Sequence, residues 1–129
     1  MSHLFQCRVY YEDTDLAGIV YYANYLKFIE RARTEYVAGV GIDQAAMKRE
    51  DGIAFAVRRL EADYLRPAVF QDDLVIETTL RQLTGATVVL DQSVRRGDEV
   101  LFAAIVTLVV LAGTGKPARM PANIRRLLT

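Results

Sequence analysis

Tryptophan is absent from the 129-residue chain, histidine occurs once (His3), cysteine once (Cys7) and proline three times. A lone thiol excludes an internal disulfide and a cysteine-rich zinc site, and such usage fits a reducing compartment. An excess of charge is missing as well. The 16 Lys and Arg balance the 16 Asp and Glu, which leaves no electrostatic footprint for a polyanion, so nucleic acid is not an expected partner. Long hydrophobic runs are also lacking: Leu101 to Ala112 is only 12 residues, interrupted by Thr107, against the roughly 20 that a spanning helix needs. It reads as a buried strand, and no integral membrane segment is expected. Met1 to Gln6 carry neither the basic stretch nor the apolar run of a secretory signal, so a cytoplasmic location is expected. A chain of this length builds one core, and a single domain over residues 1–129 follows.

What is present is periodicity. Phe5 to Tyr11 alternates apolar and polar residues as a first strand does. Glu12-Asp13-Thr14-Asp15 and Ala17-Gly18 form an acidic, turn-prone connection, since Asp and Gly are poor in helix and strand interiors alike. Between Tyr22 and Val37 the apolar Tyr22, Tyr25, Ile29, Ala32 and Tyr36 recur every three or four residues, with Leu26 and Phe28 widening the stripe. This is the one long helix, closed by Gly39 and Gly41. Ile42 to Arg49 suggests a short second helix with Asp43 at its start, ended by Asp51-Gly52. Four extended segments follow, Ile53 to Tyr64, Asp73 to Leu83, Thr87 to Arg96 and Val100 to Leu111. Turn signals at Arg66-Pro67, Thr84-Gly85 and Gly97-Asp98 separate them. A helix and a sheet must each bury an apolar face, so the expected class is α+β, with an antiparallel sheet curved around one long helix. The tail from Pro117 reads as a segment that covers the surface or caps an edge.

The stretch Val9-Tyr10-Tyr11-Glu12-Asp13-Thr14-Asp15, then Gly18-Ile19-Val20-Tyr21-Tyr22-Ala23-Asn24-Tyr25-Leu26, then Glu30-Arg31-Ala32-Arg33 resembles the 4-hydroxybenzoyl-CoA thioesterase family, near its Tol-Pal-associated branch. The resemblance runs through to the Arg119-Met120-Pro121 tail. It implies the hot-dog fold, a helix enclosed by a five-stranded antiparallel sheet, and hydrolysis of a short-chain or aromatic acyl-CoA without metal or cofactor. It also implies a homodimer or homotetramer joined edge to edge, with the acyl site between subunits. One position departs from that branch: Tyr22 stands where histidine is usual, so a mechanism that needs an imidazole there does not carry over. The hydroxybenzoyl-CoA enzymes are similar to this chain in having tyrosine at that point.

The chemistry of the motif can be argued from the residues. Asp15 lies on a turn seven residues before a helix that starts near Tyr22, and free N–H groups at a helix N-terminus are donors to developing negative charge. Thioester hydrolysis needs a nucleophile or base beside the carbonyl carbon and donors on its oxygen; Asp15 and the backbone N–H of Tyr22 supply these, and Gly18 lets the backbone come close. Whether Asp15 attacks directly or activates water is open at this point. An isolated Asp in such a loop is more often a turn former, bonded to its own backbone. Glu12 and Asp13 are read as turn residues, and Tyr21, Tyr25 and Tyr36 as core or interface residues. Arg31, Arg33 and Glu35 are read as ordinary helix ion pairs. CoA carries phosphates, so Arg58, Arg59, Arg66, Lys116 and Arg119 are candidates for holding it, Arg59, Arg66 and Lys116 foremost. Cys7 has no partner base and is read as a small buried residue. A dehydratase of the same fold needs a histidine in its site, and His3 precedes the first strand. The alternative of another class is a non-catalytic acyl-CoA-binding or scaffold protein of an envelope or lipid-synthesis complex.

Overall fold

The computed structural model describes residues 2–129. Five strands, β1 (Ser2–Arg8), β2 (Ile53–Tyr64), β3 (Asp73–Leu83), β4 (Thr87–Arg96) and β5 (Glu99–Ala112), form one sheet in the order β1-β3-β4-β5-β2. Every neighbouring pair is antiparallel. The long helix α1 (Asn24–Gly39) packs across β1, β3 and β4. It buries Tyr25, Phe28, Ile29, Ala32, Tyr36 and Val37 against the alternating inward residues of the strands, among them Ile76, Leu90, Val106 and Phe102. The α+β class and the helix-in-sheet arrangement are therefore as the periodicity implies.

Several boundaries differ from the sequence reading. β1 begins at Ser2 and not at Phe5, so His3 lies within the first strand, paired with Thr78, and not before it. β1 ends at Arg8, and Tyr11–Asp13 form a 3-10 turn because the Asp13 carboxylate takes the Tyr10 N–H at 2.8 Å. Tyr22 is outside the helix and 62% exposed; the turn Tyr21 to Ala23 leads into α1. The second helix is a single turn, α2 (Gln44–Ala46), continued by a wider π turn over Met47–Asp51. Its start is as expected, with the Asp43 carboxylate accepting the Ala46 N–H at 3.0 Å. The end of α1 is a Schellman closure. Ile42 N–H reaches the Val37 carbonyl at 3.2 Å and Gly41 N–H the Ala38 carbonyl at 3.0 Å, with Gly41 at φ +98°. The tail helix α3 (Ala122–Leu128) buries Ile124 and Leu128. Among the described residues no helix is long and apolar enough to cross a membrane.

A bulge decides which side chains of β2 face inward. Val57 pairs with Leu108 and Arg59 with Thr107, so Arg58 is an extra residue in the ladder. Before it Phe55 and Val57 lie on the inner face; after it Leu60, Ala62 and Tyr64 do, with Tyr64 paired to the buried Phe102. The period of two slips by one residue, and Arg59, Glu61 and Asp63 turn outward.

One polar cluster crosses the core. Gln92 on β4, 2% exposed, donates to the Ile29 carbonyl and the Thr78 hydroxyl, both at 2.9 Å, and accepts from Arg33 at 3.0 Å. Burial lowers the Arg33 pKa, offset in part by Glu30. The helix ion pairs expected among Arg31, Arg33 and Glu35 are not formed: Arg33 turns inward to Gln92, and Glu30 takes the Thr34 hydroxyl at 2.9 Å.

Candidate active site

Asp15 sits in a tight loop. Its backbone N–H bonds the Ile19 carbonyl and its own carbonyl takes the Gly18 N–H, both at 2.9 Å, and Gly18 closes the turn at φ +83°. A side chain at Gly18 would meet open space, so the conformation is what favours glycine there. One carboxylate oxygen, Oδ1, accepts the Ala17 N–H at 2.9 Å. The turn-forming role of Asp15 is thus real. It orients the carboxylate and leaves the second oxygen without a partner among the described residues.

The chain next runs beside the Ala68 loop and enters the pre-helix turn. Val20 N–H bonds the Ala68 carbonyl at 2.9 Å, Tyr21 N–H the Asp13 carbonyl at 2.8 Å, and Asn24 Nδ2 the same Asp13 oxygen at 3.0 Å. The start of α1 has no side-chain cap and no acidic residue in its first turn. Asn24 N–H is used by the Tyr21 carbonyl and Leu26 N–H by the Ala23 carbonyl, whereas Tyr22 N–H has no acceptor among the described residues. In the turn just before α1, that unpaired N–H is a donor held in reserve.

Asp15 and Tyr22 line one cleft of about 380 Å³, together with Ile19, Tyr21, Tyr25, Tyr64, Leu65 and Arg66. Its floor is aromatic. Tyr25 stacks on Phe102 with centroids 5.1 Å apart, and Tyr64 stands edge-on to Phe102 at 4.9 Å and to Tyr25 at 5.5 Å. Desolvation raises the pKa of both phenols, so they stay neutral. Tyr25 Oη accepts the Ala68 N–H at 3.0 Å, which ties α1 to the opposite wall. Tyr21 and Tyr25, read from sequence as core or interface residues, also line the cleft. Tyr64 stands in the sequence only as the last residue of an extended segment; the slip in the apolar pattern at Arg58 is the signal that places it inside.

The basic candidates divide. Arg66 lines the cleft, with its guanidinium held by Glu99 at 3.1 Å. Arg96 braces the same loop through Asp72 at 2.8 Å and Glu99 at 2.6 Å. Arg59 is not brought to the cleft: the Arg58 bulge turns it to the outer face, where it pairs with Glu61 at 2.8 Å. Lys116 follows β5, where its carbonyl takes the Ala112 N–H, and Ala112 pairs with Ile53. That is the end of β2 opposite Tyr64, roughly 35 Å away along the strand.

Cys7 is half-buried, and desolvation pushes its thiol from an ordinary 9.0 up to about 11. A group raised in the folded state favours folding below pH 9 and loses that contribution as pH rises through 11. Labelling by a disulfide reagent at pH 8 is expected to be slower than for the unfolded chain by roughly a hundredfold, the fall in thiolate fraction. Equal rates would contradict a structural, unreactive cysteine.

The Thioesterase superfamily matches over residues 17–103, beginning two residues after Asp15. The chain belongs to that family. The acyl-CoA thioesterase YbgC of Haemophilus influenzae is 39% identical over 122 residues, which cover 94% of this chain and 90% of that protein. A probable thioesterase from Bartonella henselae superposes with a TM-score of 0.90 at 36% identity, over 94% of this chain and 100% of its own. A 4-hydroxybenzoyl-CoA thioesterase, solved as an aspartate-to-asparagine mutant in complex with 4-hydroxybenzoyl-CoA, gives a TM-score of 0.93 at 26% identity over 99% of both chains. The hot-dog fold is shown, and the chain is a thioesterase, as the Val9 to Arg33 motif implies.

Proposed function

We propose that this thioesterase hydrolyses a short-chain or aromatic acyl-CoA to the free acid and CoA in the cleft between Asp15 and the pre-helix turn. The observation that carries the reading is that a carboxylate with a free oxygen and an unpaired N–H, that of Tyr22, line one aromatic cleft. The N–H polarises the thioester carbonyl and steadies the charge that develops on its oxygen. Asp15 acts in one of two ways. As a general base it takes a proton from water while the hydroxide attacks the acyl carbon; the C–S bond breaks and the thiolate leaves with a proton. As a nucleophile its oxygen attacks that carbon and expels the thiolate, and water then hydrolyses the mixed anhydride to regenerate the carboxylate. Gly18 keeps the loop tight enough for either route. Tyr22 acts through its main chain, so Tyr22→Phe is expected to keep kcat within roughly threefold of the wild type on benzoyl- and acetyl-CoA. A hundredfold loss would place the phenol, and not the peptide, in the chemistry.

The site is completed by a second copy. β2 is an edge strand, and Val57 (52% exposed), Leu60 (38%) and Tyr64 (48%) stay open although they face the helix side of the sheet. An uncovered apolar edge favours pairing. Two β2 edges related by a two-fold axis run antiparallel, which carries Lys116 of one chain toward the Tyr64 end of the other and makes it, with Arg66, a candidate for the CoA phosphates. Arg59 lies on the same edge. Sedimentation equilibrium is expected to give two or four times the 14.5 kDa chain mass, and Leu60→Glu to shift it toward one. A monomeric wild type would remove the shared site.

A further inference from the structure

The two peptide groups that flank the Tyr22 Cα are each held from outside. The Tyr21 carbonyl accepts the Asn24 N–H at 2.8 Å, and the Tyr22 carbonyl accepts the Tyr64 hydroxyl, also at 2.8 Å. In a trans peptide the carbonyl and the N–H point in opposite directions. Fixing the Tyr21 oxygen therefore aims the Tyr22 N–H, and fixing the Tyr22 oxygen aims the Ala23 N–H. With both planes fixed, the backbone angles at Tyr22 are set by its neighbours. The second hold is the unusual one. Tyr64 ends an edge strand, 42 positions from Tyr22, and is half exposed in the single chain. It reaches across the cleft to a backbone carbonyl, with its ring edge-on to Tyr22 at 6.3 Å and to Tyr25 and Phe102 on the floor.

We infer that Tyr64 is a positioning residue for thioester hydrolysis: its hydroxyl clamps the Tyr22 carbonyl and, together with the Asn24 hold on the Tyr21 carbonyl, fixes the backbone angles at Tyr22 that present its N–H to the thioester oxygen. The inference rests on the reading of the Tyr22 N–H as the donor to the thioester oxygen. It assigns different tasks to the two parts of Tyr64. The ring packs on the aromatic floor and the oxygen orients the peptide. Donors at such a site act by preorganisation, and a turn free to rotate a peptide plane loses catalysis without losing substrate binding.

The test is steady-state hydrolysis of the best CoA thioester by the wild type, Tyr64→Phe, Tyr64→Leu and Asp15→Asn, with the melting temperature and sedimentation of each. Tyr64→Phe keeps the ring and is expected to lower kcat by roughly ten- to a hundredfold, with KM within about twofold of the wild type. Its melting temperature and oligomeric state are expected to stay those of the wild type. Tyr64→Leu is expected to lose the same factor in kcat and, in addition, to melt earlier. A Tyr64→Phe enzyme with the wild-type kcat overturns the inference. So does a rate loss in Tyr64→Phe that is matched by a lower melting temperature or by a changed sedimentation, since the hydroxyl would then act only on structure. Asp15→Asn separates this failure from that of the site itself. Full activity in Asp15→Asn means that the cleft is not the active site, whereas an inactive Asp15→Asn beside a fully active Tyr64→Phe removes only the role given to Tyr64.

Discussion

Phe102→Ala is expected to destabilise the fold by roughly 3–5 kcal/mol, the cost of emptying a fully enclosed aromatic site. Phe102 is 0% exposed and supports two other rings, stacking on Tyr25 and meeting the edge of Tyr64. Its removal therefore opens a cavity directly beneath the cleft, and the rigid sheet on its other side cannot close it. Domains of this size hold about 5–15 kcal/mol in total, so the loss is a large share. The melting temperature is expected to fall by roughly 10–20 °C, measured by calorimetry or circular dichroism. Phe102→Leu, which keeps most of the volume, is expected to cost less than half as much. A drop of only a few degrees for the alanine variant would mean that Tyr25, Tyr64 and Phe102 do not form one packed unit.

Asp15→Asn is expected to lower kcat by about 10²–10⁴-fold, the range for losing a general base or nucleophile. The substitution is informative because of the Ala17 contact. Asparagine keeps an oxygen at the Oδ1 position, so the 2.9 Å bond from the Ala17 N–H survives and the loop keeps its shape. The charge and the free second oxygen are what is lost. A melting temperature close to the wild type is expected to accompany the fall in rate. Asp15→Ala removes the acceptor as well and is expected to loosen the loop in addition to abolishing turnover. If asparagine and wild type hydrolyse thioesters equally, the carboxylate serves the turn alone.

The long helix, the four later strands and the breaks between them were legible because each alternation is strong and each turn carries Gly, Pro or Asp. Asp15, Tyr22, Gly18 and Arg66 were legible as candidates, and the structure places Asp15, Tyr22 and Arg66 on one cleft and Gly18 in the Asp15 loop. Other features depend on contacts that are distant in sequence. The Tyr10 and Tyr11 side chains have strong strand propensity, yet a local bond from Tyr10 N–H to Asp13 ends the strand first. Arg59 looked equivalent to Arg66 until the Arg58 bulge turned it outward, a change of face that propensity does not encode although the slip from Phe55 and Val57 to Leu60, Ala62 and Tyr64 does. Arg33 reads as a helix-surface cation because its partner, Gln92, is 59 positions away on another strand. Lys116 sits at the Ile53 end of its own sheet, away from the cleft, and its place in the sequence does not encode that separation.

The most direct measurement is thiol release from a panel of CoA thioesters, acetyl through palmitoyl with benzoyl and 4-hydroxybenzoyl, by the wild type and Asp15→Asn at equal concentration and with matched melting curves. Turnover by the wild type on short-chain or aromatic members, lost in a normally folded Asp15→Asn, is the expected result. No hydrolysis above background on any thioester, or an undiminished rate without the Asp15 carboxylate, would contradict it and leave acyl-CoA binding as the function of the cleft.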